Sequence, residues 1–263
     1  MTLDVVAREG LVVLGCGKMG SALLAGWLKA GVPPGSVWVI EPTPTDWLVH
    51  TGVHLNKGIP PAPAVALLAV KPQMITDVCA QLGKLGIGRL LSIAAGVRLA
   101  SMEEVVPAGT AVVRAMPNTP SLVGMGAAAI VGGAAATEDD LVWAEQILGA
   151  VGTVTRVTEA QINAVTGLSG SGPAYVFLIA EALIDAGVLV GLARDVASDL
   201  AIQTLRGSAE LLAAGTPPAE ARANVTSPGG TTAAGLRALE NGGVRAAIID
   251  AVVAAKTRAD EMG

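Results

Sequence analysis

The sequence predicts an α/β chain, with a doubly wound sheet in residues 1–158 and an all-helical region in 159–263. Three observations predict it. Short apolar runs alternate with helical stretches through the first half. A glycine-rich turn joins the first run to the first helix. After about residue 158 the strand patterns stop, and helical stretches separated by glycines take over.

The elements follow in order. LVVL (11–14) is a continuous apolar run, as a strand covered on both faces requires, and GKMGSALLAGWLKAG then opens a helix. VWVI (37–40) and VALLAV (65–70) repeat the pattern, with a helix from about Gln73. LLSIA (90–94) and AVVRA (111–115) are two more strands, separated by a helical stretch near 99–105. Such alternation predicts a parallel sheet. GAAAIVGG (126–133) and TVTRV (153–157) add edge strands around a helix at 138–149. Later helices are expected at 160–166, 172–190, 194–214, 230–240 and 243–262. Gly191, Gly215 and Gly242-Gly243 fall at their boundaries, and Thr216-Pro217-Pro218 starts a short helix.

Composition narrows the function. The 263 residues suffice for a sizeable core. Four Trp, one Tyr and one Phe leave that core to Ala, Val, Leu and Ile. A net charge of −5 argues against a nucleic-acid or anionic-membrane partner. Cys16 and Cys79 stand at unrelated spacing, which gives no disulfide framework and points to a reducing cytoplasm. MTLDVVAREG carries acids and no long apolar run, so no secretory signal is expected. AYVFLIAEALIDAGVLVGLA (174–193) looks membrane-like, but Glu181 and Asp185 sit in its middle. Each carboxylate at bilayer depth costs roughly 2.5–3.5 kcal/mol. A helix covered by protein, within a helical domain or at a subunit interface, is expected instead. His50 and His54 lack an accompanying Cys, Asp or Glu cluster, and Gly52 lies between them, so no metal site is expected.

Gly15-Cys16-Gly17-Lys18-Met19-Gly20 fits the pattern G-x-G-x-x-G, after a strand and opening a helix. The first glycine permits the turn, the second lets backbone approach a pyrophosphate, and the third lets helix and strand pack closely. The helix N-terminus offers free N–H groups to the phosphates. Cys16 is read as a small filler of this loop and not as a redox group. The second strand ends at Glu41, whose carboxylate can accept ribose hydroxyls and would repel a 2′-phosphate; this tilts the expected cofactor toward NADH over NADPH. AVKPQ (69–73), AAGV (94–97) and AMPNTP (115–120) follow later strands at the same sheet edge, as a trough for ribose and nicotinamide would.

The helical region holds VTGLSGSGPAY (165–175) and NVTSPGGTTAAGL (224–236). Together with the glycine loop, AVKPQ, AAGV and MPNTP, these segments resemble pyrroline-5-carboxylate reductase from about residue 11 to the C-terminus. LSGSGPAY and SPGGTT are the specific parts. The resemblance implies a Rossmann-type N-terminal domain and an all-helical, substrate-binding dimerisation domain, with homodimers that assemble further into decamers. It implies that hydride from NADH or NADPH reduces the C=N bond of 1-pyrroline-5-carboxylate to give L-proline. Its cofactor residues fall on Gly15, Gly17, Lys18, Met19, Gly20, Glu41, Thr43, Asn56, Ala69, Val70, Lys71, Pro72, Ala95, Gly96, Asn118 and Asn224. Its substrate residues fall on Glu159, Ser227, Gly230, Thr231 and Thr232, with the Thr232 hydroxyl as the catalytic partner of the ring nitrogen.

The physical reading of SPGGTT agrees. Its glycines precede a helix start, where unpaired N–H groups converge on an anion such as the substrate carboxylate. A plain helix cap, with Ser227 or Thr226 as the capping side chain, is the alternative. Ser171 and Tyr175 are weaker site candidates that can equally pack or cap the long helix. Two positions depart from the family. Glu41 stands where many members have serine, asparagine or arginine, and Asn163 stands where aspartate is common. A β-hydroxyacid dehydrogenase of similar plan is the enzymatic rival, but SGSGPAYVFLIAEALIDAG lacks the lysine such enzymes place there. A nucleotide-sensing module without turnover is the other rival; it would have no use for the carboxylate cradle.

Overall fold

The computed structural model describes residues 6, 8–60 and 63–262. The reading of residues 1–10 as free of a secretory signal lies largely outside them. Eight strands form one sheet: β1 (Leu11–Leu14), β2 (Val37–Ile40), β3 (His54–Leu55), β4 (Val65–Leu68), β5 (Arg89–Ser92), β6 (Ala111–Met116), β7 (Gly126–Gly132) and β8 (Gly152–Arg156). Their spatial order is β3-β2-β1-β4-β5-β6-β7-β8, and β1 to β6 all run parallel. The chain thus winds outward in one direction from β1 and in the other from β4, which leaves a split between those two strands at their carboxyl ends.

Alternate residues of each central strand face opposite layers. Leu11 and Val13 of β1, Val65 and Leu67 of β4 and Val113 of β6 pack with helix α1 (Lys18–Lys29) and, later in the chain, Trp143 and Ile147. Val12, Leu14, Ala66 and Leu68 point the other way. They pack with Ile75, Cys79 and Leu82, and with Leu99 and Met102. Every residue of β1 and β4 is buried, which accounts for their unbroken apolar runs. Trp27 of α1 is fully buried, and its indole N–H donates to the Ile147 carbonyl at 2.8 Å. Burying a large apolar side chain contributes about 1.5–3 kcal/mol.

The other helices of this part are α2 (Asp46–Val49), α3 (Ile75–Lys84), α4 (Leu99–Glu103) and α5 (Glu138–Gly149). The two-residue strand β3 and the four-residue α2 carry too few residues for a periodic signal. The sequence reading left the direction of the strand at 126–133 open, and β7 pairs antiparallel with β6. The reason is the connection: residues 117–125 hold a 3-10 turn, Thr119–Val123, and no crossover helix, whereas a parallel return needs a dozen or more residues. β8 then runs parallel to β7 as the edge strand, after α5 carries the chain across.

From Glu159 the described elements are helical. A 3-10 turn, Glu159–Gln161, leads into α6 (Ile162–Val165) and a π-helical turn, Thr166–Gly170. The long helices α7 (Gly172–Leu189) and α8 (Arg194–Ala213) follow, then α9 (Pro218–Asn224), α10 (Thr231–Asn241) and α11 (Val244–Met262). Gly191, Gly215 and Gly243 have φ of +105°, +98° and +72°, the left-handed values glycine adopts freely at helix ends.

Contacts divide the chain into two compact units: Met1–Ser171 together with Val253–Gly263, and Gly172–Val252. That partition differs from the expected division at 158/159. The segment after Glu159 goes with the sheet because Ile162 is fully buried and a Cβ on Gly170 would lie 2.7 Å from the Met116 methyl. The end of α11 goes with it because the Asn163 amide donates to Asp260 at 2.8 Å. An aspartate at position 163 would set two carboxylates together there, so the neutral residue suits this chain.

In the second unit α7 and α8 lie close enough that a Cβ on Gly187 would come 2.8 Å from that of Ala197. Their outer faces are bare in a single chain: Phe177 is 60% exposed and Leu178 66%. The helical run Glu159–Leu189 is long and apolar enough to cross a membrane by length and composition.

One polar cluster ties α5 to β5. Asp140 is buried, completes a capping box with Thr137, and accepts from Arg89 Nε at 2.6 Å. The Arg89 guanidinium also lies 5.5 Å from the Trp143 ring centroid. Burial works to raise the Asp140 pKa, but the bonds from Thr137 and Arg89 outweigh it and hold the carboxyl below its usual value. The resulting stability is present above the ordinary aspartate pKa of about 4 and is lost as pH falls through the lower folded value. Asp140→Asn is therefore expected to cost about 2–3 kcal/mol at neutral pH, somewhat less than removing one partner of a fully buried pair. Denaturant unfolding at a series of pH values checks it, with the gap to the parent protein closing in acid.

Candidate active site

The cleft at the β1–β4 split is shaped by glycines. Gly15 has φ +82°, and a Cβ there would lie 2.7 Å from the Ala69 carbonyl oxygen at the end of β4. A Cβ on Gly20 would lie 2.9 Å from the Gly15 carbonyl oxygen, so the third glycine lets α1 approach the strand. A Cβ on Gly17 would meet nothing within 4 Å. The second glycine faces open space, as a position reserved for a phosphate should. Gly17 is the N-cap of α1 and, among the described residues, no side chain caps it. The N–H groups of the first turn, with Lys18 and Met19, are left for an anion. This donor set and cradle fit a dinucleotide pyrophosphate.

A cleft of about 720 Å³ opens beside the loop, lined by Gly15, Gly17, Glu41, Thr43, Ala69, Val70 and Lys71 among others. Its volume lies within the usual span for small-molecule sites. Pro72 begins a 3-10 turn directly after Lys71. The structure thus brings the residues read from the first three βα turns to one edge.

Glu41 is held on this edge by its neighbours. One carboxylate oxygen accepts from the Cys16 N–H at 2.7 Å, and the other accepts from the N–H and Oγ1 of Thr43 at 3.0 and 3.1 Å. Burial tends to raise its pKa, but these three donors prevail and leave it below the usual carboxylate value. Glu41 is therefore ionised at neutral pH and lines the cleft. Burial, and then the Glu41 charge, push the Cys16 thiol pKa up against the opposing bond with Ser21. The thiol is protonated and packed, as expected of a loop filler.

Two asparagines read as cofactor residues have their amides engaged by protein. Asn56 has φ +54°; its Oδ1 accepts from the Glu41 N–H, and its Nδ2 donates to the Glu41 carbonyl, both at 2.9 Å. Asn118 is buried, donates to the Ser169 carbonyl at 3.0 Å and accepts from the Ala127 N–H at 2.8 Å. The first fixes the strand end that carries Glu41, and the second clamps the π-helical turn to the start of β7. These bonds hold both side chains at the edge where the sequence reading places the cofactor. Ala95 and Gly96 follow β5 at the same edge; Gly96 has φ +77°, with Met262 Cβ 3.5 Å from where its own would be.

Glu159 lies elsewhere in this unit. Its Oε1 accepts from Arg114 Nη1 at 2.6 Å and from the Leu99 N–H at 3.1 Å. Its Oε2 is buried and has no partner among the described residues. A cavity of about 350 Å³ lies alongside, lined by Arg98, Arg114, Glu159, Ala160, Asn163 and Asp260. Sequence reasoning passed over Arg114. The signal was present, since a lone charge inside the buried run AVVRAM requires a partner.

In the second unit Asn224 ends α9, exposed, and the chain turns through Ser227-Pro228-Gly229-Gly230 into α10. Gly229 has φ +71°, and a Cβ on Gly230 would run into the Ser227 hydroxyl. Gly230 is the N-cap of α10 with no side-chain capping bond among the described residues. Thr226 Oγ1 donates back to the Arg222 carbonyl at 2.5 Å, so the alternative of a Thr226 or Ser227 cap is not realised. Thr231 and Thr232 form an exposed, uncapped first turn. Tyr175 Oη lies 3.5 Å from the Ala251 carbonyl, a packing contact within this unit.

Two family models match the chain. Residues 159–262 match pyrroline-5-carboxylate reductase dimerisation, and residues 10–96 match NADP oxidoreductase, coenzyme F420-dependent. A pyrroline-5-carboxylate reductase of Methanosarcina acetivorans is 43% identical over 95% of this chain and 96% of its own. One from a Synechocystis species is 44% identical over 96% and 98%. Among solved structures, a pyrroline-5-carboxylate reductase from Coxiella burnetii aligns with a TM-score of 0.90 and 36% identity, over 97% and 98% of the two chains. A Plasmodium falciparum pyrroline carboxylate reductase with NADP bound aligns with a TM-score of 0.88 and 31% identity, over the same shares. With whole-length identity to these enzymes, a glycine-cradled dinucleotide cleft and an open helix end after SPGG, the chain belongs to the pyrroline-5-carboxylate reductase family.

Proposed function

We propose that the chain reduces 1-pyrroline-5-carboxylate to L-proline with a reduced nicotinamide dinucleotide. The observation that carries the reading is the uncapped start of α10, with glycines that let an anion reach its backbone. The first-turn N–H groups of Thr231 and Thr232, with the Ser227 hydroxyl and the backbone at Gly230, hold the substrate carboxylate. Helix-end attraction supplies up to ~2 kcal/mol in partly buried geometry, and each charge-assisted hydrogen bond adds about 1.5–3 kcal/mol. Thr232 Oγ1 is the partner of the ring nitrogen, and Glu159 is assigned to the substrate by the family resemblance.

A bound dinucleotide would supply the hydride for C5 of the protonated imine, so that the C=N bond would become C–N and the nitrogen would keep its proton. The protein's part is orientation and charge. Gly15, Gly17, Lys18, Met19 and Gly20 seat the pyrophosphate, and Ala69 to Pro72 with Ala95 and Gly96 border the remainder of the cofactor. Asn224 is assigned to the cofactor near the reacting ring. Glu41, ionised on the cleft wall, favours NADH, since a 2′-phosphate would face a like charge. The bare outer faces of α7 and α8 are covered by a second copy, in a homodimer that can assemble into a pentamer of dimers in the cytoplasm.

Purified protein is expected to oxidise reduced nicotinamide, followed by its absorbance, when 1-pyrroline-5-carboxylate is supplied and not with β-hydroxyacid or β-ketoacid substrates. Turnover without the imine, or none with it, contradicts the reading. Thr232→Ala is expected to lower kcat/KM roughly ten- to hundred-fold, the worth of one hydrogen bond to a charged group, with unfolding temperature and cofactor Kd unchanged. Steady-state kinetics beside cofactor titration checks it, and an unaffected rate removes Thr232 from its role. In a donor comparison the parent protein is expected to have the higher kcat/KM with NADH. Glu41→Ser is expected to move the NADPH-to-NADH ratio upward by about tenfold, equivalent to ~1.4 kcal/mol of relieved repulsion.

A further inference from the structure

The end of β2 is pinned from both sides. On one flank the Ile40 carbonyl accepts from the Gly15 N–H at 2.9 Å, which ties it to the phosphate loop. On the other, the ladder with β3 is only two pairs long, Trp38 with His54 and Val39 with Leu55. Backbone pairing stops at Asn56, which gives its own N–H to the Val39 carbonyl at 2.8 Å and then turns left-handed. Its φ of +54° is the one positive value at a non-glycine position among the described residues. Asparagine takes that conformation more readily than most residues, and a position held in it invites a functional reason. Here the side chain continues the ladder. Oδ1 accepts from the Glu41 N–H and Nδ2 donates to the Glu41 carbonyl, both at 2.9 Å. One primary amide thus pairs both polar groups of the Glu41 main chain, as a further strand residue would. The Glu41 carboxylate is held separately, by the Cys16 N–H at 2.7 Å and by Thr43.

We infer that Asn56 is a positioning residue for coenzyme selection: its amide fixes the Glu41 backbone so that the carboxylate keeps its place on the cleft wall. The inference rests on the reading that Glu41 favours NADH. The amide acts at one remove, since the group it holds, Glu41, lines the cleft. A charge on a long, part-exposed side chain bears on a ribose 2′ substituent only while its root is fixed, because repulsion falls with distance and is screened by solvent. Accepting a 2′-hydroxyl and repelling a 2′-phosphate demand the same placement. Asn56 is itself uncharged, so its loss relaxes that placement and leaves the charge of the cleft as it was. A purely structural amide would instead secure the edge strand β3, and its loss would weaken both coenzymes alike.

Equilibrium titration of NADH and of NADPH into the parent protein, Asn56→Gly, Glu41→Ser and the Asn56→Gly/Glu41→Ser double variant separates the two roles, with nicotinamide fluorescence as the signal. Glycine adopts the left-handed backbone freely, so Asn56→Gly removes the two amide bonds without adding strain. Asn56 is exposed, and the substitution leaves the core intact. Hydrogen exchange over residues 37–45 and the unfolding temperature are read for each protein without coenzyme. Asn56→Gly is expected to lower the ratio of NADPH Kd to NADH Kd about threefold, less than the roughly tenfold shift of Glu41→Ser, because the charge remains while its placement is relaxed. Exchange at the Glu41 amide is expected to quicken in the same variant. The double variant is expected to match Glu41→Ser, because without the carboxylate the amide has nothing to place. The inference is overturned if Asn56→Gly keeps the parent ratio while Glu41→Ser moves it, whether both coenzymes bind as before or both weaken equally. Unchanged exchange at the Glu41 amide overturns it as well. So does an equal effect of Asn56→Gly on the ratio in the Glu41→Ser background, since the amide would then act on the coenzyme itself. An unchanged ratio in Glu41→Ser removes Glu41 from coenzyme selection, and this role of Asn56 goes with it.

Discussion

The contact on which the cofactor half depends is between Gly15 and the end of β4. The Ala69 carbonyl oxygen lies 2.7 Å from where a Cβ on Gly15 would stand, so any side chain there would force β1 and β4 apart. That contact sits at the place where the sheet reverses its winding order, and the closeness of the two strand ends is what shapes the cleft floor. Gly20 repeats the device one layer out by resting α1 on the Gly15 carbonyl. The open face at Gly17, the uncapped helix start and the placement of Glu41 all follow from a loop drawn tight at these two points.

Much of this was legible before any coordinates. LVVL and VALLAV are strands because every residue in β1 and β4 is buried on one face or the other, and continuous apolarity is the mark of that environment. The helix at 138–149 was placed from its sequence, and in the structure Thr137 and Asp140 form a capping box at its start. What escaped has physical causes. β3 is two residues long and carries no periodicity. The reversal at β7 depends on the length and turn content of residues 117–125, to which an apolar run is indifferent.

The site was legible to a different depth. Glycine positions can be read because their constraint is backbone geometry, which the residue type announces. Asn56 and Asn118 could not be placed the same way, because an amide serves a ligand or a loop equally well. The protein partners that hold them lie far away in sequence: Glu41 for the first, Ala127 and Ser169 for the second. Arg114 was hidden for the opposite reason. Its neighbours in AVVRAM are so plainly core that the charge among them drew no attention, although a buried guanidinium demands a carboxylate somewhere. In the helical half, the apolar run at 174–193 was legible as a helix needing cover, and residues 159–262 match a dimerisation domain.

The bond between Glu41 and the Cys16 N–H joins two properties that are usually thought separable. The carboxylate on the cleft wall is also the acceptor that satisfies an amide of the glycine loop. Removing it would free that amide and loosen the turn through Thr43 at the same stroke. A substitution at Glu41 in this chain thus acts on the stiffness of the phosphate loop as well as on the charge of the cleft wall, and redesign at that position has to rebuild the loop's internal support.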